Sequence, residues 1–231
     1  SKDDEKKKDR ILELRKTKER VFPITLPAYL QKQENKRRNF PFDWERTISP
    51  LSGISKATTV MCNETGVWVN YKSDRLGFNN DDSVYDNISS ERIVLLGDSF
   101  TQGYCLEPEK NLAGQLKSRG RNVINLGSGG SGYLIQLAIM KEFVPSLKPK
   151  YIFWVISYYD SGNLRHEYED DFFPRYLEKG FSQNLVSKQQ EVDLFWENLL
   201  ARSEKLQLGS ERVQLEPERV QLESERVQLE K

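Results

Sequence analysis

Ser99 is the side chain of this sequence best placed to do chemistry. It closes the run Ile93-Val94-Leu95-Leu96-Gly97-Asp98-Ser99, an aliphatic stretch followed by Gly-Asp-Ser and then the polar loop Phe100-Thr101-Gln102-Gly103. An uninterrupted aliphatic run of strand length reads as a strand covered on both faces, as in the parallel sheet of an α/β protein. Ligands bind in the crevice at the carboxyl ends of such strands, so a hydroxyl at that edge is positioned for reaction. Gly97 gives the backbone room to turn sharply, and the N–H groups of the turn or helix that Ser99 opens can meet a developing negative charge. Small and polar residues after a strand are also ordinary turn chemistry, so the context has to decide.

Two further stretches carry chemistry. Gly127-Ser128-Gly129-Gly130-Ser131-Gly132 packs glycines densely enough for a backbone to approach a ligand and aim its N–H groups inward. Nucleotide sites are built this way too, but the Gly-x-Gly-x-x-Gly frame fits only loosely. Neither a P-loop Lys-Ser/Thr nor a ribose-binding acid stands at the right distance. The other stretch is Tyr158-Tyr159-Asp160-Ser161-Gly162-Asn163, closely followed by the one histidine, His166.

These stretches need a scaffold. Asn122–Leu126 and Tyr151–Ile156 read as a second and a third buried strand, separated from the first and from each other by helical segments over 111–118 and Tyr133–Phe143. Gly120 ends the former helix; Pro145 and Pro149 stop the latter. Strand, helix, strand, helix, strand implies right-handed crossovers into a parallel sheet, so that Ser99, Gly130 and the 158–163 stretch lie at neighbouring strand ends. Residues 173–200 are expected to continue as helix, with Val192, Phe195, Trp196, Leu199 and Leu200 on one stripe against the sheet.

Outside this core, residues 1–38 read as a charged arm and an extended segment. The charge run 1–20 is expected as a solvated helix or unstructured arm, and Val21–Leu30, interrupted by Pro23 and Pro27, as an extended segment on the domain surface. Residues 39–90 form an irregular lead-in with Trp44, Trp68 and a strand over Val67–Tyr71; 91–201 form the α/β core. The tail 202–231 carries the seven-residue repeat Gly209-Ser210-Glu211-Arg212-Val213-Gln214-Leu215 and its successors. Its Val and Leu positions do not make a coiled-coil seam and Pro217 interrupts it, so it reads as a solvated tail.

Composition narrows the partners. The 35 basic and 35 acidic side chains balance, so no overall field draws the chain to nucleic acid or anionic lipid. No apolar run approaches the roughly 20 residues that span a bilayer, and no signal peptide is visible; a first residue of Ser rather than Met is what removal of a leader or anchor would leave. Cys62 and Cys105 lack the four-ligand pattern of a zinc site. Either they pair, pinning the lead-in over the rim of the Ser99 site, or they stand as two thiols.

Gly97-Asp98-Ser99-Phe100-Thr101-Gln102-Gly103 directly after Ile93-Val94-Leu95-Leu96 resembles the first conserved block of the SGNH/GDSL hydrolases, and Asn125-x-Gly127-x-x-Gly130 resembles the second. The resemblance covers residues about 50–200. It implies a flavodoxin-like, three-layer α/β fold, incomplete at the C-terminus, that hydrolyses acyl esters. Ser99 would be the nucleophile, and its N–H, the Gly130 N–H and the Asn163 side chain the oxyanion donors. The third block departs from the family: Asn163 comes later than the strand suggests, and Asp160, nearer the expected place, would repel an oxyanion. The family's Asp-x-x-His is absent, and His166 would have to fold back over Ser99 to serve as base; an exposed histidine on an acidic helix is its ordinary reading. Small acyl esters or O-acylated carbohydrates are the implied substrates, no metal or cofactor is required, and an envelope or periplasmic setting is implied. The lead-in, with Pro50-Leu51-Ser52-Gly53, Ser73-Asp74-Arg75 and Gly77-Phe78-Asn79-Asn80, is similar to envelope and surface-polysaccharide members. Asp74 and Arg75 are expected as a structural pair rather than as substrate contacts. A noncatalytic carbohydrate-binding or scaffold relative is the competing expectation, favoured by the missing Asp-x-x-His.

Overall fold

In the computed structural model, residues 2–30, 48–86, 91–170 and 172–203 are described. Trp44 and the repeats from 209 onward fall outside them. The chain divides into two units, Ser1–Asp193 and Leu194–Lys231, and all the strands belong to the first.

The aliphatic run behaves as its composition requires. Strand β4 (Ile93–Leu96) is buried along its whole length and is the central strand of a three-stranded sheet, pairing in parallel with β5 (Val123–Asn125) on one side and β6 (Tyr151–Trp154) on the other. Numbering the helices along the chain, α1 is Lys2–Arg15, α2 Ser99–Gln102, α3 Leu112–Lys117, α4 Tyr133–Leu147 and α5 Asp160–Tyr168. Asn111 caps α3, its side chain accepting from the Gly114 N–H at 2.8 Å. Between β5 and β6, α4 buries Ile135, Ala138, Ile139 and Phe143.

A second three-stranded sheet precedes this one: β1 (Val21–Pro23), β2 (Thr58–Cys62) and β3 (Val69–Lys72), with β1 and β2 parallel and β2 and β3 antiparallel. The protein is thus mixed α/β, with small, parallel-rich sheets and flanking helices. The 21–30 segment is not laid on the surface. Val21, Ile24, Leu26, Ala28 and Leu30 are all buried, and Val21 joins Ile11 of α1 and Val60 of β2 in one apolar cluster. Cys62 and Cys105 form a disulfide that ties the end of β2 to the loop after α2.

Three other expectations are corrected. Helix α4 runs through Pro145 to Leu147, because a proline in the last turn removes only one intrahelical hydrogen bond; Lys148 then closes it in the left-handed conformation. The segment from 173 is not a continuous helix: two 3-10 turns, Phe173–Leu177 and Leu185–Lys188, precede helical structure that begins only at 189. The Glu142 carboxylate organises this stretch, accepting from Tyr176 Oη at 2.8 Å, Ser182 Oγ at 3.0 Å and the backbone N–H groups of Gln183 and Leu185. Finally, β6 is not buried. Tyr151, Ile152, Phe153 and Trp154 are 45%, 44%, 50% and 37% exposed: unlike β5, the other edge of the sheet, β6 reaches solvent on both of its faces. The Trp154 indole N–H still anchors it, donating to Gln136 Oε1 of α4.

Candidate active site

The Ser99 turn is built by close backbone packing. A Cβ on Gly97 would overlap Thr101 Oγ1 and lie 2.7 Å from the Val155 carbonyl oxygen, so β4 can pass this close to α2 and the end of β6 only without a side chain there. Asp98 caps α2, its Oδ1 accepting from the Phe100 N–H at 2.9 Å. Ser99 begins the helix, half-buried, and its carbonyl accepts from Gly103 and Tyr104. Neither its hydroxyl nor its N–H is hydrogen-bonded to any described residue.

The glycine loop after β5 docks on this turn through a set of committed amides. Asn125 fixes the entry: its Oδ1 accepts from the Gly127 N–H at 2.8 Å and its Nδ2 donates to the Thr101 carbonyl at 2.7 Å. Gly127 packs so tightly that a Cβ would overlap the Gln102 amide nitrogen. The Ser128 N–H donates to the Gly97 carbonyl at 3.0 Å, Gly129 N–H to Gln102 Oε1 at 3.0 Å, Ser131 N–H to the Ser128 carbonyl at 3.3 Å, and Gly132 N–H to Glu167 Oε1. Gly130 is the one residue of the loop whose N–H has no acceptor among the described residues, and it is exposed. A Cβ on its neighbour Gly129 would stand 3.7 Å from Ser99 Cβ, so the loop passes directly over the nucleophile candidate.

The third strand end delivers α5 rather than a carboxamide aimed at Ser99. Asp160, Asn163 and Glu167 share one face of this helix, at the i, i+3, i+7 spacing of the 3.6-residue repeat, and that face meets the glycine loop. A Cβ on Gly132 would lie 2.9 Å from Asn163 Cβ and 2.8 Å from Glu167 Oε2. Asn163 therefore sits against the far end of the loop, with no hydrogen bond to Ser99. Asp160 is fully buried and turns back, its Oδ2 accepting from the Ser157 N–H at 2.9 Å. His166 lies off that face, exposed and making no hydrogen bond to Ser99.

Glu167, which reading residue by residue does not single out, is the strongest tie between α5 and the loop. Its buried carboxylate accepts from Gly132, from Leu134 at 2.8 Å and from Ile135 at 3.3 Å, neutralising the free amides at the start of α4. The helical spacing from Asp160 is the signal that marks it. Burial pushes the Glu167 carboxyl up, against the pull of those three amides. Burial also raises the Asp98 carboxyl, with Asp160 beside it adding to the rise.

The lead-in supports the site from below. Asp74 and Arg75 are structural, but they do not pair with each other. Asp74 accepts from the Leu76 and Phe78 N–H groups, Asn80 Nδ2 and Tyr85 Oη, all within 2.9 Å. Arg75 instead reaches Asp82 and Asp86, each at 3.0 Å. Asn80 then bonds the backbone of Asn125 in both directions, at 2.8 and 2.9 Å, carrying the Asp74 loop to the root of the glycine loop.

A cavity of about 590 Å³ lies elsewhere, lined by Asn79, Asn80, Asn111 and Lys117 among others, and Ser99 is not on its wall. Burial lowers the Lys117 ammonium. Among the described residues no group of three or more His, Cys, Asp or Glu side chains is arranged to hold a metal ion, and no helix is long and apolar enough to cross a membrane. No family model, curated protein or solved structure matches the chain.

Proposed function

We propose that this chain is an SGNH/GDSL-type serine hydrolase domain of flavodoxin-like, three-layer architecture. Its Ser99 attacks the carbonyl carbon of small acyl esters, O-acylated carbohydrate among them. The observation that carries the reading is the half-buried Ser99, whose hydroxyl and N–H are uncommitted among the described residues, beneath a glycine loop in which Gly130 alone keeps an N–H without an acceptor among the described residues. Two backbone donors converging on one carbonyl oxygen are what a tetrahedral oxyanion requires. Attack also requires a base to take the hydroxyl proton, and none is bonded to Ser99. Oxyanion stabilisation alone retains only a modest rate advantage, so weak or absent turnover is the expectation for this chain. The Cys62–Cys105 disulfide suits an oxidising compartment such as the envelope setting the resemblance implies.

A fluorophosphonate probe tests the nucleophile. Labelling of the wild-type chain that disappears in Ser99→Ala supports the proposal, and a wild-type chain that takes up no probe sinks it. The second reading, a noncatalytic carbohydrate-binding relative, is favoured by the unassisted Ser99 hydroxyl and by the asparagine-lined cavity. It expects sugar binding that survives Ser99→Ala and is lost on obstructing the cavity with Ser118→Trp, at an exposed residue of its wall.

A further inference from the structure

Strand β6 pairs with β4 on one side and with no described strand on the other. The Tyr151 and Val155 N–H groups donate to the Arg92 and Leu96 carbonyls on the β4 side, at 3.2 and 2.8 Å. Alternation along the parallel ladder therefore turns the N–H and C=O groups of Ile152, Trp154 and Ile156 to the open edge, where no described residue takes them up. Both faces beside this edge are apolar and open, Tyr151 and Phe153 on one and Ile152 and Trp154 on the other, and Ile156, Tyr158 and Tyr159 beyond them are 62%, 90% and 71% exposed. The devices that keep a sheet edge single are missing. No charged side chain and no proline stands between Tyr151 and Tyr159, and the β4–β6 register carries no bulge. Lys150, just before the strand, is held by Glu91 at 3.1 Å. The exposed fractions of these seven side chains amount to about four whole side chains. At roughly 200 Å² apiece that is the area, about 800 Å², that each partner contributes to a stable interface of standard size.

We propose that this edge is the interface of a homodimer, in which two copies of the chain pair their β6 strands antiparallel about a two-fold axis. A two-fold interface must be self-complementary: if residue i meets residue j, then j meets i. The open groups satisfy this, because Ile152 and Ile156 flank Trp154 symmetrically. Trp154 lies opposite Trp154 of the partner subunit, and Ile152 opposite Ile156 of the partner subunit, each pair exchanging N–H···O=C bonds in both directions. The two three-stranded sheets become one continuous sheet, and the apolar faces of the two β6 strands cover each other along the seam. The antiparallel arrangement also sets the Lys150 side chains at opposite ends of the seam, and the balanced charge of the chain, 35 basic against 35 acidic side chains, puts no net repulsion between copies. The dimer is independent of the esterase reading, since neither Ser99 nor the glycine loop belongs to the paired edge.

The test is sedimentation equilibrium of the full chain from micromolar to hundreds of micromolar. The expected mass is twice that of the 27.0 kDa chain, falling to a single chain in Ile152→Pro and in Ile152→Lys. The proline removes an N–H that faces the open edge and none that is bonded to β4; the lysine leaves the backbone intact and places a charge on the paired face. Hydrogen exchange of the wild type supplies a readout that needs no variant. The Ile152 and Trp154 amides should exchange more slowly as concentration rises, whereas the Phe153 amide, turned toward β4, is protected throughout. A wild type that stays monomeric over the whole range would overturn the proposal and leave the edge to another occupant. So would open-ended association instead of a closed dimer, a dimer undiminished in both variants, or Ile152 and Trp154 exchange that ignores concentration. Failure of the fluorophosphonate probe with the dimer intact would remove the esterase reading and leave the interface standing.

Discussion

At the scale of single residues, the most consequential group outside the Ser99 turn is Asp74. It is fully buried, and each of its carboxylate oxygens accepts two hydrogen bonds. Removing an acceptor that four donors share leaves those donors unpaired in the interior. Hydrogen bonds to a charged group contribute about 1.5 to 3 kcal/mol each, and the effects overlap. Asp74→Ala is therefore expected to lower the unfolding free energy by about 3 kcal/mol, read as a drop in the urea midpoint, with Tyr85→Phe costing less because one bond is lost instead of four. A midpoint unchanged by Asp74→Ala would show that the Asn80 link to the glycine loop does not depend on it. Asp74 and Arg75 are recognisable in sequence as structural residues of a turn. That each would choose a different partner is decided by where residues 80–86 return.

At the scale of elements, the Cys62–Cys105 disulfide joins the end of β2 to the loop after α2 across a sequence separation of 43 residues. Closing a loop of that length in the unfolded chain corresponds to about 4 kcal/mol in the chain-entropy treatment. The double variant Cys62→Ser/Cys105→Ser is expected to be less stable than wild type by up to that amount, and reduction of the wild type should produce a similar fall in thermal midpoint; no fall in either would mean that the small sheet is held by its apolar contacts alone. The strands of the parallel sheet are legible because aliphatic runs admit few alternatives. Their burial is less so. The run Tyr151–Ile156 is as apolar as β4, yet β4 and the edge strand β5 are buried while the other edge, β6, is exposed on both faces, and hydrophobic pattern cannot tell which edge of a sheet the rest of the chain covers. The region after 172 defeats helical reading for a related reason. Its shape is set by Glu142, a residue of α4 lying 34 to 43 positions earlier, collecting donors from Tyr176, Ser182, Gln183 and Leu185.

At the scale of the whole molecule, the titrating groups give stability a definite pH profile. Asp98 and Glu167 have carboxyl groups raised in the fold, chiefly by burial. The folded state binds their protons more tightly than the unfolded chain does. Their contribution is complete below the ordinary carboxyl range and is lost as pH rises through their native values. Asp81 and Asp82 are held low, chiefly by Ser83 and Arg75 respectively, so their smaller, solvent-screened contribution is present above the ordinary range and lost as pH falls through their native values. Urea unfolding across pH should show a maximum in the mildly acidic range with a decline toward neutrality, and Asp98→Asn should flatten that decline. Stability that rises from mildly acidic to neutral pH would contradict the assignment.

The amino-acid order by itself determined the parallel strands, the turn at Ser99, the glycine loop and the exposed His166, because each follows from local rules: aliphatic runs, small residues where the backbone must turn, and the side chain's own polarity. Only the tertiary structure decided that Gly130 keeps the loop's one N–H without an acceptor among the described residues, that Asp160 turns back to the Ser157 amide and that Glu167 caps α4. Those outcomes depend on which donors and acceptors distant segments bring together, and hydrogen bonds between residues far apart in the chain leave no periodic trace along it.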